Sequence, residues 1–76
     1  MQRTAIRTCE AMGKRIRDLR RSQGITQAPL AGLSNTGVRF ISDLENGKET
    51  CQLGKILHVL ATLGVDVSIQ SPYDKE

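Results

Sequence analysis

Side chains able to do covalent or metal chemistry are scarce in this chain, and their spacing supports none. The single histidine, His58, lies mid-helix without the neighbours that a metal site or a histidine-based triad needs. Cys9 and Cys51 match no metal-ligand spacing and are too few for a secreted disulfide framework. They read as free thiols in a reducing compartment; a single bridge and a role in sensing oxidants are the alternatives. No P-loop, GxGxxG or HExxH occurs. The chain therefore reads as a non-enzyme, with no cofactor and no metal. Phe40 and Tyr73 are too few to stack single-stranded bases. The spacing that does carry chemistry is polar. Val38, Arg39, Ser42 and Asp43 fall in a short helical pattern whose other side holds Ile41 and Leu44.

That pattern belongs to the stretch Gln23 to Lys48, QGITQAPLAGLSNTGVRFISDLENGK. Thr26 is a good N-cap, and Pro29 is tolerated in a first helical turn, where the backbone lacks an intrahelical acceptor. Helix 2 is expected from Gln27 to Leu33, burying Leu30, Ala31 and Leu33. Ser34-Asn35-Thr36-Gly37 is a run of turn and cap formers. Helix 3 is expected from about Gly37 to Asn46, and Asn46-Gly47 stops it. Two helices joined so tightly must cross steeply, which describes a helix-turn-helix.

In that arrangement the first residues of helix 3 enter the major groove of DNA. Arg39 can make two hydrogen bonds to guanine, worth about 1–3 kcal/mol of discrimination. Its alternatives are a phosphate contact or a solvated surface position. Val38 could touch a thymine methyl or face inward; Ser42 can serve many bases or none. Asp43 could accept from cytosine, but an acid near phosphates is costly, so it is expected to orient Arg39 or another base. Phosphate contacts are expected from Gln27, Thr36, Asn46, Gly47 and Lys48, setting register without reading sequence.

The remaining elements must hold this pair. Residues 1–8 form an N-terminal arm or short strand. Thr8 is a candidate N-cap, and Glu10 suits the first turn of a helix from Cys9 to Ser22. Met12, Ile16 and Leu19 give that helix a narrow apolar stripe, and Gly24 ends it. Helix 4 spans about Gln52 to Leu63, with Thr50 as expected N-cap and Leu53, Ile56, Leu57, Leu60 and Leu63 as its buried face. Gly64 stops it. Val65, Val67 and Ile69 then alternate with polar residues, which predicts a strand over 65–71. A lone strand must pair with residues 3–7 or with its copy in a second chain; the second is preferred, because a two-fold dimer completes a small core. Residues 72–76 read as a frayed tail.

Seventy-six residues make one domain, 9–64, with a small, mostly aliphatic core, given 38% hydrophobic and 3% aromatic residues. No apolar run reaches a membrane span of about 20 residues, and no signal peptide is evident; a cytoplasmic protein with no membrane partner is expected. Residues 1–50 hold nine Lys/Arg against five acids, whereas residues 51–76 hold two against three. The positive excess lies with the helix-turn-helix, where a polyanion binder needs it.

At Thr26-Gln27 and Ile41 to Gly47 the sequence resembles the lambda-repressor-like, Cro/C1-type (XRE) helix-turn-helix family, over about residues 10–64. Gly37 to Lys48, Gln52 to Leu60 and Val65 to Ile69 are more closely similar to HipB-type antitoxins. The resemblance implies a mainly α, four-to-five-helix DNA-binding domain with a short C-terminal β-strand for dimerisation through Val65, Val67 and Ile69. It implies an autorepressor that binds double-stranded operator DNA as a homodimer, with a HipA-type kinase toxin as partner. It also implies a partly buried structural ion pair, Arg20 with Glu45. The family's turn glycine is Asn35 here, its next valine is Thr36, its helix-3 cap serine is Gly37, and its helix-2 glutamate is Pro29, so no Thr26–Glu capping box forms. Two other functions are open: a stand-alone phage or restriction-control repressor, and a protein-interaction module on the same fold. RNA binding suits this geometry less.

Overall fold

The computed structural model describes residues 5–74, so the arm is seen only from residue 5 and the tail only to residue 74; residues 1–4 and 75–76 lie outside. Four helices follow in order: α1 Cys9–Ser22, α2 Gln27–Leu33, α3 Val38–Glu45 and α4 Leu53–Thr62. Thr8 caps α1, its hydroxyl accepting from the Ala11 N–H at 2.9 Å. Thr26 makes no such bond at α2. The residue capping α4 is Gln52, not Thr50.

All four helices stop by one device. The second residue beyond the C-cap returns its N–H to a carbonyl in the last turn: Ile25 to Arg20, Thr36 to Ala31, Lys48 to Asp43 and Val65 to Leu60. Each return passes through a residue with positive φ, and these satisfy carbonyls that a helix end otherwise leaves open. At the second stop that residue is Asn35, at φ 57°. Asparagine is among the few side chains that tolerate this region, so the turn survives without its usual glycine.

α3 packs on both α1 and α2, and α2 also packs on α4. Ile16, Leu30, Ile41 and Val59 are fully buried at the centre, joined by Ala31, Leu44, Leu60 and Leu63. Met12, Leu19, Ile25, Phe40 and Ile56 close around them. Gln23 donates to the Leu63 carbonyl at 2.8 Å, tying the α1–α2 turn to the end of α4. Among the described residues no helix is long and apolar enough to cross a membrane.

Three further expectations need correction. Leu33 is 72% exposed; Ser34 takes the inward position instead, its hydroxyl donating to the Leu30 carbonyl at 2.7 Å. In α4 the buried face runs through Val59, Leu60 and the C-cap Leu63, leaving Leu53 and Leu57 outward. The strand expected over 65–71 does not form, and no strand occurs among the described residues. A strand exists through ladder hydrogen bonds to a neighbour, and the described residues supply no such ladder. Val65 is drawn into the stop of α4, half-buried against the core. Val67 and Ile69, expected at a dimer interface, are 55% and 93% exposed.

Candidate nucleic-acid interface

α3 has two dissimilar faces because its inward residues are fixed by α1. Gly13, mid-α1, lies directly on the end of α3: a Cβ there would collide with the Leu44 carbonyl oxygen and sit 2.8 Å from that of Glu45. This contact lets the helices approach with no side chain between them. A glycine inside a helical pattern costs about 1 kcal/mol relative to alanine, which is the sequence signal that a packing reason exists.

About two turns further along α1, Arg20 meets Glu45. Its Nε donates to Oε2 at 2.6 Å and its Nη2 to Oε1 at 2.9 Å, a bidentate pair. Nη1 donates to the Ile25 carbonyl at 2.9 Å. Gln27 adds a third hydrogen bond to the carboxylate, Nε2 to Oε1 at 3.1 Å. Both charged residues are over nine-tenths buried. Burial alone pushes the Glu45 carboxyl up, but the bonds from Arg20 and Gln27 and the charges of Arg20 and Arg17 hold it below the usual carboxylate range. The bond to Glu45 raises the Arg20 guanidinium despite its burial. Among the described residues, no buried side-chain nitrogen or oxygen lacks a partner.

The outward face of α3 is free by contrast. Val38 is 48% exposed, Arg39 is exposed, and Ser42 and Asp43 are half-buried. No described residue bonds or pairs with Arg39. Asp43 does not hold Arg39: its Oδ2 accepts from Lys48 Nζ at 3.3 Å, an exposed pair worth under about 1 kcal/mol. Beside it, Lys55 Nζ stands 5.6 Å from the centre of the Phe40 ring.

The expected phosphate contacts divide. Gln27 is half-buried, with its amide committed to Glu45. The Thr36 hydroxyl is 3.0 Å from that of Ser34. Since Ser34 gives its one proton to Leu30, Thr36 is the donor, bonded inside the turn. The N–H groups of Asn46, Gly47 and Lys48 all close the end of α3 on Ser42, Leu44 and Asp43. What remains outward is the side chains of Asn46 and Lys48, both exposed. Sequence reasoning missed the Gln27–Glu45 bond and the packing role of Gly13, since both depend on where α1 meets α3.

The fold and this face define a helix-turn-helix domain whose second helix is anchored on one side and open on the other. Comparison with known proteins agrees. Residues 11–68 match the family described as helix-turn-helix domain. The chain is 44% identical over 70 residues to an uncharacterized HTH-type transcriptional regulator, y4mF, of Sinorhizobium fredii (strain NBRC 101917 / NGR234), covering 92% of each. Among solved structures it is similar to a HipB variant in complex with the O2 20mer, at TM-score 0.84 and 21% identity over 93% of this chain and 99% of that one. A HipA–HipB–O2–O3 complex contains a chain equally similar in fold, at TM-score 0.84 and 20% identity over 92% and 99%. The restriction-modification controller protein C.AhdI from Aeromonas hydrophila gives TM-score 0.70 and 29% identity over 76% and 84%. The chain belongs to the helix-turn-helix family, and it is a transcriptional regulator of the XRE type.

Proposed function

We propose that the chain is a homodimeric repressor of double-stranded operator DNA that reads sequence with Val38, Arg39, Ser42 and Asp43 and autoregulates its own promoter. The observation that carries this reading is the unengaged Arg39 on the open face of a helix whose other face is locked to α1. An arginine without an internal partner, on a helix that cannot turn away, is placed for bidentate recognition of guanine. Asn46 and Lys48 side chains flank it toward phosphates; Gln27 and Thr36 join only by leaving their internal bonds. Asp43 sets the position of Lys48.

Dimerisation is supported by apolar side chains left outward, namely Leu53, Leu57, Val67 and Ile69. Residues 65–71 have the alternation of a strand and leave Val67 and Ile69 exposed, so pairing with a second copy through Val65, Val67 and Ile69 covers them. Such a dimer sets two copies of α3 about 34 Å apart, in successive major grooves of a pseudo-palindrome.

The finer role is that of a HipB-like antitoxin with a HipA-type kinase partner. It is supported by the run Gly37 to Lys48 and by the fold shared with HipB structures that contain DNA and HipA. The likeness to a restriction-modification controller favours a second reading, a stand-alone control repressor. A kinase-like reading frame beside the gene separates the two.

The test is binding to the DNA upstream of its own gene at two salt concentrations, with Arg39→Ala alongside. Expected is one inverted repeat bound, weakened by salt through loss of phosphate contacts, and a base preference relaxed by the substitution by about 1–3 kcal/mol. Equal affinity for upstream and random DNA would reject autoregulation.

A further inference from the structure

Cys9 and Cys51, distant in sequence, line the same groove of about 360 Å³, walled by Ile6, Met12, Leu53 and Ile56. Two backbone contacts bring their segments together. Gly13 sits on the end of α3, and Gly47 sits on Glu10, where an added Cβ would lie 2.9 Å from the Glu10 Cα. Cys9 adjoins Glu10 in the first turn of α1, and Cys51 lies four residues past Gly47 in the loop leading to α4. Both are free thiols; Cys9 is exposed and Cys51 half-buried. Neither is used by the DNA-reading face.

We propose that Cys9 and Cys51 are a thiol-oxidation site that closes to a reversible intrachain disulfide, clamping the start of α1 to the loop between α3 and α4. The oxidant is of the hydroperoxide class. The exposed Cys9 sulfur attacks one peroxide oxygen, the O–O bond breaks, and Cys9 becomes a sulfenic acid as one water leaves. The Cys51 sulfur then attacks the Cys9 sulfur: the S–S bond forms, the S–O bond breaks, and the hydroxyl departs with the Cys51 proton as a second water. Two thiols lose two protons and two electrons, and one hydrogen peroxide becomes two waters. The division of roles follows burial. Burial pushes the Cys51 thiol up, with Asp43 and Cys9 adding to this and Lys48 opposing it, so Cys51 waits as a thiol while Cys9 meets solvent. A thiol reductant restores both groups.

The experiment treats the purified full chain with hydrogen peroxide under native conditions and in urea. It reads intact mass, free thiols and mobility without reductant. The expected product is a monomer lighter by two hydrogens with no free thiol, reversed by dithiothreitol and absent in Cys9→Ser and Cys51→Ser. Its formation should be at least about tenfold faster in the folded chain than in urea, because the fold places both thiols in one groove. A native rate at or below the urea rate would overturn the proposal. So would Cys9 passing to the sulfinic acid while Cys51 stays free, or a bridge found only between chains. No DNA enters the assay, so its result stands apart from the proposed repressor role.

Discussion

The end of α3 and the segment after α4 both carry side chains that demand partners, and they meet different fates. At the end of α3, Glu45 receives three hydrogen bonds from Arg20 and Gln27, and Gly13 lets α1 approach without a gap. After α4, Val67 and Ile69 stand in solvent. Both patterns are strong in the sequence. The difference is that the first is answered from α1, already held close by the core around Ile16 and Ile41, whereas Val67 and Ile69 are not packed on that core. One region is finished by folding; the other leaves its apolar side chains exposed.

Breaking the finished region should cost most. Glu45→Ala leaves Arg20 buried and unpaired and should lower folding stability by about 3–5 kcal/mol, read by urea unfolding. A loss below about 1 kcal/mol would mean that the pair behaves as a surface pair. Gly13→Ala forces α1 away from the Leu44 and Glu45 carbonyls. Overpacking of this kind should cost about 1–3 kcal/mol, in spite of alanine's better helix propensity. An unchanged melting temperature would show that the helices slide apart freely.

Acid sharpens the same contrast. The folded-state carboxyl of Glu45 lies below its unfolded value, so its contribution is complete above the ordinary carboxylate range and is lost as pH falls through the folded value. A melting temperature that holds to about pH 5 and declines below about pH 4 is expected, with a shallower decline in Glu45→Gln. The smallest effect on the monomer belongs to the unfinished region. Val67→Asp with Ile69→Asp should change monomer unfolding by under about 0.5 kcal/mol, since neither side chain packs on the core. Sedimentation should nevertheless show the dimer lost. A dimer that persists would move its interface to Leu53 and Leu57.

Much of this was legible from local pattern. The bounds of α1 and α2 followed from Thr8, Thr26, Gly24 and the turn run at Ser34, because caps and stops act over a few residues. Arg39 and Lys48 were found at their exposed positions for the same reason. The commitments of Gln27 and Thr36 were not legible, since each depends on a side chain whose direction only the packed helices set. The inward face of α4 was misread through Leu53 and Leu57, because a helix leucine-rich on several sides does not say which side meets α2.

By itself the sequence determined where α1 and α2 start and stop, that α2 and α3 are joined by a tight turn, and which residues of α3 face outward. These depend on hydrogen bonds and periodicities spanning a handful of residues. Only the tertiary structure decided that Gly13 is a contact surface, that Gln27 completes the Arg20–Glu45 pair, that Cys9 and Cys51 share a groove, and that Val67 and Ile69 stay exposed. Those outcomes turn on which elements lie within a few ångströms of each other, and no short stretch of the chain encodes that distance.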